Sequence, residues 1–150
     1  WMIPFIQRSV YDGVHSGQVS FPGGKCEEDD EGYFFTALRE TEEEIGILPE
    51  DVELLGALTP LYIPNSNFFV YPFAGWMDKS PIFKPDPTEV DEVIEMPLEK
   101  LLDNRYVKTF SEWINDTKLS APYFEAGHRK IWGATAMMLS EMLEIVKLLK

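Results

Sequence analysis

The sequence predicts an α/β domain of the layered α/β/α kind, and three observations carry that reading. Its 150 residues are 45% hydrophobic and 13% aromatic, enough apolar material for one compact core and too little length for two. Short segments rich in β-branched and aromatic residues recur along the chain, each bounded by Gly, Pro, Asn or Asp. Two further stretches carry apolar residues at steps of three and four, which is the period of a helix laid on a sheet.

The elements follow in order. The apolar run Ile3 to Ile6 and the alternation of Val19 and Phe21 predict two extended segments around a turn at Asp12-Gly13. After Pro22-Gly23-Gly24 and the acidic loop Glu27 to Glu31, Phe34, Leu38, Thr41 and Ile45 recur at helical spacing. That spacing predicts an amphipathic helix over 32–45, stopped by Gly46. Residues 52–63 and 68–76 read as two strands joined by a turn at Pro64-Asn65-Ser66-Asn67. Three prolines between Lys79 and Thr88 break any ladder and predict a surface loop. Glu89 to Glu95 reads as a strand and Pro97 opens a short helical piece through Leu102, with weaker strand patterns at 105–113 and 121–125. Ile131, Ala134, Met138, Met142, Ile145 and Leu149 form the apolar stripe of a last helix packed on the sheet.

Thirteen Lys plus Arg stand against 26 Asp plus Glu, a formal charge of −13. This excludes a protein that holds nucleic acid by neutralising phosphates, and an anionic ligand would need cations to help it bind. Cys26 is the one cysteine. It cannot form an internal disulfide, and it has no His or second Cys at a usable spacing, so a cytoplasmic protein without a catalytic thiol is expected. Ser140, Glu141, Glu144 and Lys147 make the C-terminal apolar stretch too polar to span a membrane. The opening Trp1-Met2-Ile3-Pro4-Phe5-Ile6 reads as the middle of an apolar segment, consistent with a natural N-terminal segment missing from a single domain over 1–150.

Arg39-Glu40-Thr41-Glu42-Glu43-Glu44-Ile45-Gly46-Ile47 places four glutamates at the C-terminal end of a helix, where the backbone dipole is already negative. Each exposed carboxylate there costs about 0.3–1 kcal/mol relative to the opposite terminus, so something must offset the cluster. Glu40, Glu43 and Glu44 lie at i, i+3 and i+4 and are expected to share one face, opposite the inward Leu38, Thr41 and Ile45, with Glu42 pointing elsewhere. Three hard oxygen donors on a rigid element suit Mg²⁺ or Mn²⁺. The plainer alternative is a solvated charged face.

Gly24 through Ile47 resembles the Nudix box: Gly, a spacer, Glu, seven residues, Arg-Glu, an apolar residue, any residue, Glu-Glu, any residue, Gly and an apolar residue. Arg39, Glu40, Glu43, Glu44, Gly46 and Ile47 fall in register, and Glu31 stands eight before Arg39. Thr41 fills an apolar slot, and the glycines lie one residue further from Arg39 than the general pattern asks. That extra residue, with Phe21-Pro22-Gly23-Gly24-Lys25 and Thr36-Ala37-Leu38-Arg39-Glu40, is similar to the coenzyme A pyrophosphatase branch. Arg8-Ser9, Gly17-Gln18 and Ile131-Trp132-Gly133-Ala134-Thr135 also resemble that branch, but Gly13 stands where it carries a second Arg.

The resemblance implies the Nudix fold, an α/β/α sandwich with a mixed β-sheet. It implies metal-dependent hydrolysis of a nucleoside diphosphate linked to another moiety, coenzyme A first, with an ADP-ribose or dinucleotide pyrophosphatase as the alternative. A nucleotide-binding module without turnover is the reading from a different class. Glu43 and Glu44 would be metal ligands and Glu40 a ligand or the base that deprotonates water, with the Gly23 or Gly24 carbonyl and a carboxylate outside the box, Glu92 or Glu89, as further ligands. Arg39 would pair with a carboxylate and hold Glu40, with Glu31 structural and Asp30 competing for that role. Arg8, Ser9, His15, Gly23, Gly24 and Lys25 would face a small-molecule diphosphate. Oligomeric state stays open, a homodimer among the options.

Overall fold

The computed structural model describes residues 1–10, 12, 15–114 and 116–149. Its elements run β1 (Met2–Arg8), β2 (Val19–Ser20), α1 (Tyr33–Ile45), β3 (Glu53–Ala57), β4 (Leu61–Ile63), β5 (Phe68–Val70), β6 (Phe73–Trp76), β7 (Val90–Pro97), α2 (Leu98–Leu101), β8 (Val107–Ile114), β9 (Thr117–Ala126), β10 (Arg129–Trp132) and α3 (Gly133–Leu148).

The layering is decided on β1. It pairs antiparallel with β2 on one side and β7 on the other, with Phe5 opposite Ile94 and Ile6 opposite Val93. Successive side chains on a strand point to opposite faces. Phe5 and Ile94 therefore join Met96, Leu139 and Leu143 on the α3 side, while Ile6 and Val93 join Ile45, Ile47 and Val90 on the α1 side. Phe5 and Ile6 are both 0% exposed, so β1 is covered on both faces, as the predicted α/β/α class requires.

A second antiparallel sheet, ordered β10-β9-β8, carries α3 and brings β10 close to β2. The ladders among the described residues are antiparallel, and β10 meets β2 without one, so the mixed character expected of the sheet is not expressed as a hydrogen-bonded parallel pair.

The segments expected as two long strands at 52–63 and 68–76 are four. β3 pairs with β6 and β4 with β5, and Pro60 and Pro72 fall at the breaks because proline cannot donate to a ladder. The turn between β4 and β5 lies at the expected place, with Asn67 at φ 56°. β10 was not expected; the positive φ of Gly127, 63°, turns the chain back from β9.

The last helix also differs. Ile131 is buried on β10, and the residues that α3 buries are Thr135, Ala136, Leu139 and Leu143, while Ile145 and Leu149 of the expected stripe are exposed. So many positions of this helix are apolar that period alone left its rotation undecided. No helix among the described residues is long and apolar enough to cross a membrane.

Candidate functional site

The site is built at the end of α1. Gly46 ends that helix in the left-handed region at φ 73°, and its N–H donates to the Glu42 carbonyl at 2.8 Å. The turn lets the proline-rich loop cross the helix end. There the Lys84 N–H donates to the Ile45 carbonyl at 2.9 Å and the Asp86 N–H to the Glu44 carbonyl at 3.0 Å. The loop thus satisfies carbonyls that a helix terminus leaves open, and this is part of what offsets the acidic end.

Glu44 corrects the expected solvent face. Its side chain is 2% exposed, turned inward beside Ile45. The Gly23 N–H donates to Glu44 Oε2 at 2.8 Å, and Arg8 Nη1 lies 3.5 Å from Oε1. Burial nonetheless pushes the carboxyl up to about 7, with the charges of Glu40 and Glu89 acting in the same direction against the pull of Gly23 and Arg8. Glu40 is also raised by burial, opposed by Arg39 and supported by Glu43 and Glu89. Gly24 is a glycine for a local reason, since a Cβ there would run into the Glu40 carboxylate.

Arg39 is the hub. Nε donates to Asp30 Oδ1 at 3.0 Å, Nη1 to Glu40 Oε1 at 3.1 Å and to Glu43 Oε2 at 3.0 Å, and Nη2 to Asp30 Oδ2 at 3.1 Å and to the Lys25 carbonyl at 2.9 Å. All five guanidinium donors are engaged. The Arg39 bonds hold the Asp30 carboxyl well below the usual carboxylate range, with the Glu27 N–H and the Thr36 hydroxyl helping. Asp30, not Glu31, is therefore the acidic partner of Arg39; Glu31 is exposed. Thr41, in the apolar slot, returns its hydroxyl to the Ala37 carbonyl at 2.6 Å.

The remaining candidates divide. Ser9 stays near the cluster, its N–H on the Glu89 carbonyl at 2.9 Å and its hydroxyl on Asp91 at 3.0 Å. Lys25 points to the Phe68 ring, 5.3 Å from its centroid. His15, at φ 65°, pairs with Gln18 at 3.1 Å. Glu92 is not brought to the cluster. It sits opposite Gln7, one residue out of phase with Ile6 and Val93, so it lies on the α3 face, where it pairs with Arg129. Glu89 is the carboxylate outside the box whose charge bears on both Glu40 and Glu44. Gly13 lies outside the described residues.

Among the described residues, no three acidic, imidazole or thiol groups converge as a ready cage, and Glu40 and Glu43 both accept from Arg39 Nη1. The donor chemistry fits a hard divalent cation all the same. Burial raises both Glu40 and Glu44, the neighbouring carboxylates add to it, and a cation beside them would relieve that repulsion. The contribution of the 80s loop and the burial of Glu44 were missed at the sequence level; the helical phase of Ile45, next to Glu44, was the available signal for the second.

Residues 3–116 match the NUDIX domain, and the chain belongs to the Nudix family. It is 35% identical over 144 residues to the mitochondrial coenzyme A diphosphatase NUDT8 of Homo sapiens, covering 94% of this chain and 61% of that protein. It is 35% identical over 138 residues to the uncharacterized Nudix hydrolase NudL of Pectobacterium atrosepticum, covering 91% and 70%. With the mitochondrial Nudix hydrolase 15 of Arabidopsis thaliana it shares 39% over 140 residues, 89% of this chain and 48% of the relative. The chain thus spans about half to two thirds of the length of these relatives. A C. elegans Ap4A hydrolase binary complex superposes with a TM-score of 0.55 at 19% identity, over 65% of this chain and 70% of that one, a likeness of fold.

Proposed function

We propose that residues 1–150 form a single Nudix domain that hydrolyses a diphosphate joining a nucleoside to another moiety, with coenzyme A or a derivative as substrate and 3′,5′-ADP and 4′-phosphopantetheine as products. The observation that carries this is the gathering of the Glu40 and Glu44 carboxylates against the Gly23-Gly24 backbone, with Arg8 at 3.5 Å from Glu44. Support for the substrate comes from the 35% identity to a protein named as a coenzyme A diphosphatase.

In this reading water attacks one phosphorus of the diphosphate, a P–O anhydride bond breaks, and the proton leaves to Glu40 or a neighbour. Glu40, Glu43 and Glu44, with the Gly24 carbonyl and Glu89, would hold Mg²⁺ or Mn²⁺. The bound ion supplies positive charge for the diphosphate oxygens and lowers the pKa of water. Arg39 positions Glu40 through the 3.1 Å bond. Arg8, Ser9, His15, Gly23, Gly24 and Lys25 would turn to the substrate phosphates from the partners they hold here, and an acidic protein can hold those phosphates once cations are present. A cytoplasmic setting rests on the unpaired Cys26.

Gly13, in place of the branch's second Arg, favours a second reading, in which the substrate is ADP-ribose or a dinucleotide. The test incubates coenzyme A, its 3′-dephospho form, ADP-ribose and NADH with Mg²⁺ or Mn²⁺ and identifies products. Fastest cleavage of coenzyme A is expected; fastest cleavage of ADP-ribose or NADH selects the second reading, and no cleavage of any leaves a binding module.

A further inference from the structure

Tyr33 and Tyr71 stack on each other in the open. Their ring centroids are 4.0 Å apart at an interplanar angle of 7°, yet Tyr33 remains 50% and Tyr71 39% exposed. Tyr33 is the first residue of α1, seven before Glu40. Seven residues are two helical turns, so Tyr33 stands on the same side of α1 as Glu40, about 10 Å along the axis. The main chain at Gly24-Lys25 links the two places. Gly24 lies against the Glu40 carboxylate, the Lys25 carbonyl accepts from Arg39, and the Lys25 ammonium reaches over Phe68, itself 41% exposed and three residues before Tyr71.

We infer that Tyr33 and Tyr71 form an aromatic platform that stacks the nucleoside base of the diphosphate substrate, with Lys25 as the cation facing the phosphate attached to that nucleoside. The inference rests on the hydrolase reading for the identity of the ligand and deepens it by naming the residues that stack the base. The two rings cover each other's inner faces, so the base lies on an outer face; stacking accepts any base, and adenine is the expected occupant because the proposed substrate carries it. Charge points the same way. In a chain of net charge −13, Lys25 carries its ammonium over Phe68, three residues before Tyr71, while its carbonyl accepts from Arg39 beside the carboxylates. A base on the rings then leaves its ribose and phosphates directed along α1 toward Glu40. A plain packing role, tying the segment after β5 to the start of α1, predicts loss of stability and no response to ligands.

The test uses binding that needs no turnover. Cys26, the chain's one cysteine and exposed beside Lys25, is alkylated with a trifluoromethyl tag, and its fluorine resonance is followed during titration. Adenosine 5′-monophosphate is expected to shift the signal saturably, while ribose 5-phosphate and inorganic pyrophosphate at the same concentrations do not. Tyr33→Ala and Tyr71→Ala should each weaken that binding about ten- to hundredfold and raise KM for an adenine-containing diphosphate with kcat roughly unchanged. Tyr33→Phe should bind as the parent does. Should the alanine variants fail to fold, Tyr33→Leu and Tyr71→Leu keep the bulk without the π-face and serve in their place. Equal responses to ribose 5-phosphate, no response to the nucleotide, or variants that change only the melting temperature would overturn the inference. Saturable nucleotide binding in a protein that cleaves none of the diphosphates would retire the hydrolase reading and leave the platform standing.

Discussion

The two faces of the central sheet are built on opposite terms. On the α3 side, eleven buried hydrophobic residues from β1, β2, β7, α2, β9, β10 and α3 pack into one cluster. On the α1 side four do so, Ile6, Ile45, Ile47 and Val90, and beside them lies a buried glutamate with a second, Glu40, close by. Burying a carboxylate costs stability unless it is paired, and Glu44 has one backbone N–H and one arginine at 3.5 Å to offset that cost. The difference teaches where each requirement is met: the α3 face stabilises the fold, and that stability lets the α1 face keep ionisable groups out of water.

Predictions that break this contrast run from total loss to small shifts. Excess chelator should abolish diphosphate hydrolysis while circular dichroism and the α3-side core stay intact, because the proposed chemistry would depend on cations and the apolar packing would not; full turnover in chelator would end the metal-site proposal. Glu44→Gln should lower the rate by at least about a hundredfold without lowering the melting temperature, since an uncharged amide replaces a carboxyl whose ionised form is disfavoured by burial. Rates near the parent's would mean that the buried acid is not part of the chemistry.

Leu139→Ala should do the reverse. Leu139 is 0% exposed in the α3-side cluster, so truncation should cost about 2–5 kcal/mol in denaturant unfolding while kcat/KM of the folded protein holds. Gly46→Ala should cost about 1–2 kcal/mol, because a side chain is strained at φ 73° and its Cβ would lie 2.8 Å from the Lys84 Cβ. It should also reduce activity by displacing the loop that closes the end of α1.

The smallest effect is pH-dependent. The Asp30 carboxyl sits below its ordinary value of 3.8 in the folded state, so its contribution is present above that pH and is lost as the pH falls through the folded value. Asp30→Asn should therefore be less stable than the parent at pH 7 and indistinguishable from it in strong acid, as melting temperatures across pH would show. A constant difference at every pH would assign the loss to packing rather than charge.

Much of the site could be read in advance because it is local. Arg39, Glu40, Glu43 and Glu44 lie within two turns of one helix, and the helical period fixes their relative directions whatever packs around them. The stop at Gly46 is local too, set by a left-handed cap. Asp30 was legible as a competitor of Glu31 because it also lies a short loop away from Arg39, but the choice between them depended on where that loop turned.

What the sequence by itself determined is the layered α/β class, the acidic helix and its end, the proline-rich loop between Lys79 and Thr88, and the family resemblance that these residues carry, whereas the breaks at Pro60 and Pro72 and the strand β10 emerged with the structure. Only the tertiary structure decided which side of α1 is inside, because Glu44 and Ile45 are neighbours and the Gly23 N–H and Arg8 had to arrive from elsewhere to make burial of the glutamate tolerable. It likewise decided that Glu92, within β7, faces α3, because the register with β1 sets which face each residue of the strand takes, while Glu89 lies in the turn before β7 and its charge bears on Glu40 and Glu44. It set the rotation of α3 for the same reason: an apolar helix with more than one plausible stripe takes its phase from the sheet it covers.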